Sequence, residues 1–300
     1  MSDVAADLSG ALSGAAPNPA SSPSRGPLHA LARTVGIIFA FARVSFLQML
    51  QYRVRYAIGV ANYILYVTIG VFLWRAMYGT NTHVTIGSFT LKDMIVYSAV
   101  GWVCRSIYFS NVDTQIMNRV LDGSIAMDLL KPSSLLPITY GQTLGEALFR
   151  ALVMALPSFL ILSLGFHYIS PPASFWHGAA FAVLFMSSIN IFFCISFMVG
   201  LCAILTERIQ GMMWAKFLLI QFLSGLLAPL SWFPFWMGAI LYILPFSGIA
   251  YIPLRVYLGK EPLAALPSIL TVQIGWNVVL LIFCRWMWAW VKHRIELNAG

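Results

Sequence analysis

Charge is scarce in this chain. Lys, Arg, Asp and Glu together supply 9% of the residues, and only 10 are acidic; a soluble domain carries about 25%. Hydrophobic residues supply 60%, and mean hydropathy is +0.81. A globular core cannot absorb that much apolar surface, which excludes an ordinary soluble domain and leaves lipid as the solvent. Cysteine is sparse too. Cys104, Cys194, Cys202 and Cys284 all lie in apolar stretches and form no C-x-x-C pair, so they read as buried thiols rather than a disulfide framework or a metal site. His83, His167 and His177 do not cluster in the sequence. No internal repeat is visible. Basic residues are nowhere interleaved with aromatics on a polar stretch, so the net charge of +8 does not point to nucleic acid. It reads instead as the Lys/Arg excess that membrane proteins keep in cytoplasmic loops.

What is present is a series of long uncharged runs. Tyr56–Trp74 reads YAIGVANYILYVTIGVFLW and ends at Arg75. That is the length of a helix crossing a hydrocarbon core about 30 Å thick. Further spans are expected at about 94–117, 147–166, 175–206, 211–230 and 268–290. The fold class is therefore all-α, a polytopic membrane protein with six transmembrane helices. Residues 1–27 are rich in Ala, Ser, Pro and Gly and lack both a basic start and an apolar core, so a disordered tail is expected rather than a signal peptide. Residues 28–300 form the membrane domain. Within it, residues 28–55 carry Arg33, Arg43, Arg53 and Arg55 among apolar residues at helical spacing, which predicts an amphipathic helix lying in the interface. Residues 231–254 are long enough to span, but Pro234, Gly238, Pro245, Gly248 and Pro253 punctuate them. Six spans place the basic N-terminal region and the basic end (Lys292, Arg294) on one side with Arg119, Lys131 and Arg208, whereas a seventh would export that end. Segment 231–254 is therefore read as a broken, re-entrant helical pair on the outer side, and both termini as cytoplasmic.

Two groups of residues are candidates for function. The loop 118–146 holds a short predicted helix, with Gly123 loosening the turn, Ser124 as its cap and a stop at Pro132. Asp128 and Lys131 mark its wet face, and Ile125 and Leu129 share a side at i, i+4. Such a knob suits docking of a cytoplasmic partner; the same pattern also suits an ordinary solvated loop. The second group lies inside the expected spans. Arg105 is costly in hydrocarbon and must face protein, a cavity or a partner, with Asp113 two turns on and roughly on its face. Pairing and substrate contact both remain open for it. Asn62, Asn190, Gln221, Gln273 and Asn277 are candidates for interhelical hydrogen bonds or a polar lining.

The run Arg119–Pro132, R-x-x-x-G-S-I-x-x-x-L-L-K-P, resembles a signature of one branch of the permease subunits of type-2 ATP-binding-cassette (ABC-2) exporters. The order of an interfacial helix, six spans, a proline-broken outer segment and a basic end is similar to that family over residues 28–300. The resemblance implies a dimeric membrane unit, the second permease being the same or a related chain, with one cytoplasmic ATPase under each half. It makes Gly123, Ser124, Ile125, Asp128, Leu129 and Lys131 a coupling helix seated in the ATPase. It also implies a multi-pass protein of the cell (inner) membrane exporting a small amphiphilic or hydrophobic compound. No G-x-x-x-x-G-K-[ST] motif occurs in the chain, so the expectation is no cofactor on this chain, with ATP and Mg on the separate ATPase. An ATP-independent carrier or channel is the alternative. An intramembrane protease would need a G-x-S-G nucleophile, and a phospholipid synthase clustered aspartates; neither pattern is present.

Overall fold

The structure, a computed structural model, describes residues 27–51, 53–79, 85–125, 134–206 and 208–299. Ten α-helices follow one another in these residues: α1 (Pro27–Leu50), α2 (Arg53–Tyr78), α3 (Leu91–Tyr108), α4 (Val112–Leu121), α5 (Leu135–Gly165), α6 (Phe175–Thr206), α7 (Gln210–Leu223), α8 (Phe235–Ile243), α9 (Tyr251–Tyr257) and α10 (Leu266–Ala299). Five stretches among the described residues are long and apolar enough to cross a bilayer: Ala32–Leu50, Ile58–Tyr78, Leu135–Gly165, Phe175–Thr206 and Leu263–Arg294. Four of these overlap an expected span. The fifth lies in the region expected to be an interfacial helix.

The two remaining expected spans are not continuous long helices. Residues 94–117 do not form one helix: the chain leaves helical geometry at Phe109 (φ −60°, ψ 128°) and resumes at Val112. Residues 211–230 form a helix of only 14 residues, α7, about 21 Å long. It stops because Gly225 turns left-handed at φ +76°, which glycine alone adopts freely. Segment 231–254 is broken as its prolines require, into α8 of 9 residues and the start of α9.

Helix α6 is the axis of the bundle. It is apolar all round, as a helix buried on most faces should be, and α4, α9 and α10 all pack on it. Helix α5 passes Pro157 without breaking. It widens to π-helical geometry at Ala151–Ala155 and Ile161–Gly165, and the Leu156 N–H reaches back to Ala151 O. Widened turns of this kind absorb the hydrogen bond that proline cannot donate.

Helices α1 and α2 take turns along α5. Ile38 lies on Gly141, Ala42 on Gly145 and Phe46 on Phe149. The same offset throughout means that α1 and α5 run parallel. Tyr56 then meets Phe149 and Gly59 meets Met154. The approach of α1 is close enough that a Cβ on Gly141 would sit 2.5 Å from Ile38 O, and one on Gly145 closer still to Ala42 O. The run Gly141-x-x-x-Gly145 is the small-residue spacing that brings membrane helices into backbone contact. Arg33, Ser134 and Arg285 line one cavity, so the starts of α1 and α5 and the latter part of α10 lie at one end of the bundle.

At the opposite end, Thr90 and Asp93 form a capping box on α3, and Lys260 pairs with Asp93 at 2.6 Å. Trp232 Nε1 donates to Ile86 O at 3.1 Å, and Tyr97 OH to Gly225 O at 2.5 Å. These bonds fasten the broken 224–260 segment to the loop before α3 and to α3 itself. Burial pushes the Asp93 carboxyl up, but Lys260 and the Thr90 bonds outweigh it and hold it below its ordinary value. A depressed carboxyl contributes stability above its ordinary range and loses it as pH falls through the folded value.

Two outcomes follow from this packing. Gly145→Leu should destabilise the protein by at least about 1–3 kcal/mol, the usual range for overpacking, because the clash is with backbone; an unchanged melting temperature in detergent would refute the close α1–α5 contact. Asp93→Asn should remove the Asp93 contribution to the acid-side loss of stability expected below about pH 4, while lowering neutral stability by no more than about 1 kcal/mol. Melting curves of the variant and the wild type across pH 3–7 read both effects.

Candidate coupling site and buried charge cluster

Helix α4 is short, and its Asp113, Gln115 and Arg119 side chains are tied to neighbouring helices. On one side, Gln115 Nε2 donates to Glu146 Oε1 at 2.7 Å and Arg119 Nη2 to Gln142 Oε1 at 3.0 Å. Residues four apart on α4 thus meet residues four apart on α5 in reverse order, which makes a two-rung ladder between antiparallel helices. Glu146 is also bonded to Arg150, one turn along α5, and both are buried. On the other side, Asp113 receives Lys216 Nζ from α7 at 2.5 Å, and the same ammonium donates to Ser196 Oγ of α6 at 2.9 Å. Asp113 is 3% exposed and Lys216 9%, so neither charge has water as an alternative partner. Gly200 permits the approach of α4 to α6, because a Cβ there would meet Ile116 at 2.9 Å and the Asp113 backbone at 3.0 Å.

Arg105 sits in the last turn of α3, just above the break at 109–111. It is 6% exposed. Asp113 is taken by Lys216, and among the described residues no carboxylate pairs with Arg105. Its guanidinium lies over three rings instead: Phe109 and Phe217 at 5.1 Å and Trp102 at 5.6 Å. A desolvated cation over aromatic faces gains about 2 kcal/mol or more. The cage joins α3, the break and α7.

The chain leaves α4 through Asp122, which accepts from Ser124 N at 2.9 Å, and Gly123 at φ +75°. The Ser124 bonds hold the Asp122 carboxyl below its usual range. Ile125 begins a new helical turn and is half-buried against the inner apolar core that includes Ile116, Leu135 and Phe193. Of the expected coupling residues, Gly123, Ser124 and Ile125 are therefore placed at the end of α4; Asp128, Leu129 and Lys131 lie outside the described residues.

The other intramembrane polar residues scatter. Asn62 is exposed on α2. The Gln221 carbonyl oxygen is buried and accepts no hydrogen bond among the described residues. Asn190 belongs to a separate knot between α6 and α10. Its Nδ2 donates to Asn277 Oδ1 at 2.5 Å, Asn277 bonds Ser187, and Gln273 Nε2 reaches Gly248 O at 2.7 Å. The four cysteines are free thiols; Cys194 and Cys284 are buried and Cys104 and Cys202 partly so.

Sequence reading missed Lys216, Glu146 and Arg150. Each left a signal. Lys216 is the one charge in GMMWAKFLLIQFL, and Glu146 precedes Arg150 by one helical turn inside an apolar stretch. Charges placed there need internal partners.

Residues 64–295 match the ABC-2 family transporter proteins, and the chain belongs to that family. No curated protein and no solved structure matches it significantly. The chain is thus an ABC-2 permease, a multi-pass membrane subunit of a transporter. Permeases of this family generally work with an ATPase subunit and often dimerise. The match begins inside α2 and ends inside α10, so α1 precedes it.

Removing one partner of a buried pair leaves the other charge stranded, at about 3–5 kcal/mol. Lys216→Met and Asp113→Leu should each lower stability by that order, and the double variant should recover most of the loss. A double variant as unstable as the sum of the singles would show that the pair does not act as a unit.

Proposed function

We propose that this permease is the membrane-spanning half of an ATP-driven exporter, moving a small amphiphilic or hydrophobic compound (a drug, a cation or a lipid-linked molecule) out of the cytoplasm. ATP and Mg are bound by a separate ATPase, and the second permease is another copy or a related chain. The protein crosses the inner membrane six times with both termini in the cytoplasm. Helices α3 and α4 together make the second crossing, and α7 with residues 224–230 makes the fifth. Segment 231–254 stays on the outer side as a re-entrant pair. The common end shared by the starts of α1 and α5 and the latter part of α10 supports this arrangement.

The observation that carries the mechanism is the clamping of α4. The loop from Gly123 to Lys131 docks on the ATPase, and movement of that loop pulls on α4. The ladder passes it to α5, and the Asp113–Lys216–Ser196 bonds pass it to α6 and α7. The break at 109–111 lets α4 move without dragging α3 as a rigid rod, while the ring cage around Arg105 keeps the two aligned. The roles of Arg105, Asp113, Asn62, Asn190 and Gln221 on this reading are structural; substrate contact is the alternative role for each.

Ile125 is half-buried on the core, so the docking face rests on Leu129 more than on Ile125. Leu129→Asp should abolish co-purification with the ATPase and substrate-stimulated ATP hydrolysis while leaving the protein inserted and its melting temperature within about 1 °C of wild type. The loss of one buried leucine, about 1.5–3 kcal/mol, weakens the contact by roughly 10- to 150-fold. If Leu129→Asp keeps both binding and stimulation, the loop is not the coupling element. If transport persists in vesicles depleted of ATP, the protein is a secondary carrier or channel instead.

A further inference from the structure

The cavity of about 920 Å³ between α1, α5, α6 and α10 is not used by the coupling mechanism, and its lining is sorted by chemistry. Arg33 of α1 and Arg285 of α10 stand at its mouth, both exposed. Among the described residues, neither meets a carboxylate. The deep end is polar and uncharged: Ser187, Asn190 and Asn277, already bonded to one another. Between the two ends the wall is apolar, formed by Ile37, Ile38, Leu281 and Ile282. Asn277, Leu281 and Arg285 follow helical i, i+4 spacing on α10, so polar end, apolar wall and basic mouth lie in line. The mouth and the deep end are eight residues apart on α10, about 12 Å.

We propose that this cavity binds one anionic phospholipid, its headgroup phosphate held between Arg33 and Arg285 and the upper part of its acyl chains against Leu281 and Ile282. Guanidinium forks match phosphate oxygens bidentately, and a basic pocket between transmembrane helices at a cytoplasmic face is suited to such headgroups. Two exposed guanidinia beside hydrocarbon exclude a cation from the mouth. An acyl chain is the ligand that fills an apolar wall opening toward lipid. The volume suits a ligand site that holds the headgroup region while the chain ends remain in the bilayer. The lipid would then staple α1, which otherwise rests on the closely packed stripe of α5, to α10 on the far side of the cavity. This inference stands apart from what the exporter carries and from how it couples to ATP.

The test uses purified full-length protein titrated with phosphatidylglycerol or phosphatidylcholine and read by native mass spectrometry, with melting temperature as a second readout. Wild type should bind one phosphatidylglycerol at least tenfold more tightly than phosphatidylcholine and melt higher with it. Arg33→Gln with Arg285→Gln should erase the preference, and Arg33→Lys with Arg285→Lys should restore only part of it, since an ammonium keeps the charge but not the fork. Leu281→Trp, which fills the apolar wall and leaves both charges, should weaken phosphatidylglycerol binding at least fivefold. The proposal is overturned by equal binding of the two lipids, by an unchanged double Gln variant, or by a Leu281→Trp variant that binds as wild type. Displacement of phosphatidylglycerol by millimolar glycerol 3-phosphate would also overturn it, as the site would then be one for small anions.

Discussion

Hydrocarbon offers a charge nothing, and the salt bridge between Asp113 and Lys216 is where this protein meets that constraint most directly. Both groups are almost completely withdrawn from solvent, and each is tolerable only because the other is 2.5 Å away. Ser196 Oγ accepts a second hydrogen bond from the ammonium, leaving little of its bonding capacity unmet. Because Asp113 is on α4, Lys216 on α7 and Ser196 on α6, satisfying one charge fixes the relative position of three helices. A Leu at each site would pack as well and would fix nothing, since apolar contacts slide whereas a buried ion pair has one geometry.

That fixed point explains the break in the second crossing. Arg105 and Asp113 are close enough in sequence to suggest pairing along one helix, but Lys216 competes for the carboxylate and wins. Arg105 is left to the rings of Trp102, Phe109 and Phe217. Phe109 can stand in that cage while Asp113 turns toward α7 because the backbone leaves helical geometry between them. The interruption thus satisfies two cations in different ways. With the ladder to α5 on its opposite side, α4 is bonded to α5, α6 and α7 at once.

The end of the bundle opposite Arg33 and Arg285 is held by different means. There the Tyr97 hydroxyl donates to Gly225 O of the proline- and glycine-broken segment, while Trp232 and Lys260 of that segment reach out to Ile86 O and to the Asp93 carboxylate. Irregular backbone at membrane depth is tolerated only where protein or water satisfies it.

By itself, the sequence determined the helical membrane class, the long spans around residues 56–74, 147–166, 175–206 and 268–290, the broken stretch after residue 230, and the loop whose pattern marks the family. These are matters of composition and period, and hydrocarbon enforces them segment by segment. The tertiary structure alone decided which charges meet. Asp113 chose Lys216, 103 positions away, over Arg105, eight positions away. Gly141 and Gly145 became a helix contact only because α1 lies on them, and Asn190 found Asn277 rather than a nearer group. Pairing energy depends on distance in space, and local sequence carries no measure of that distance.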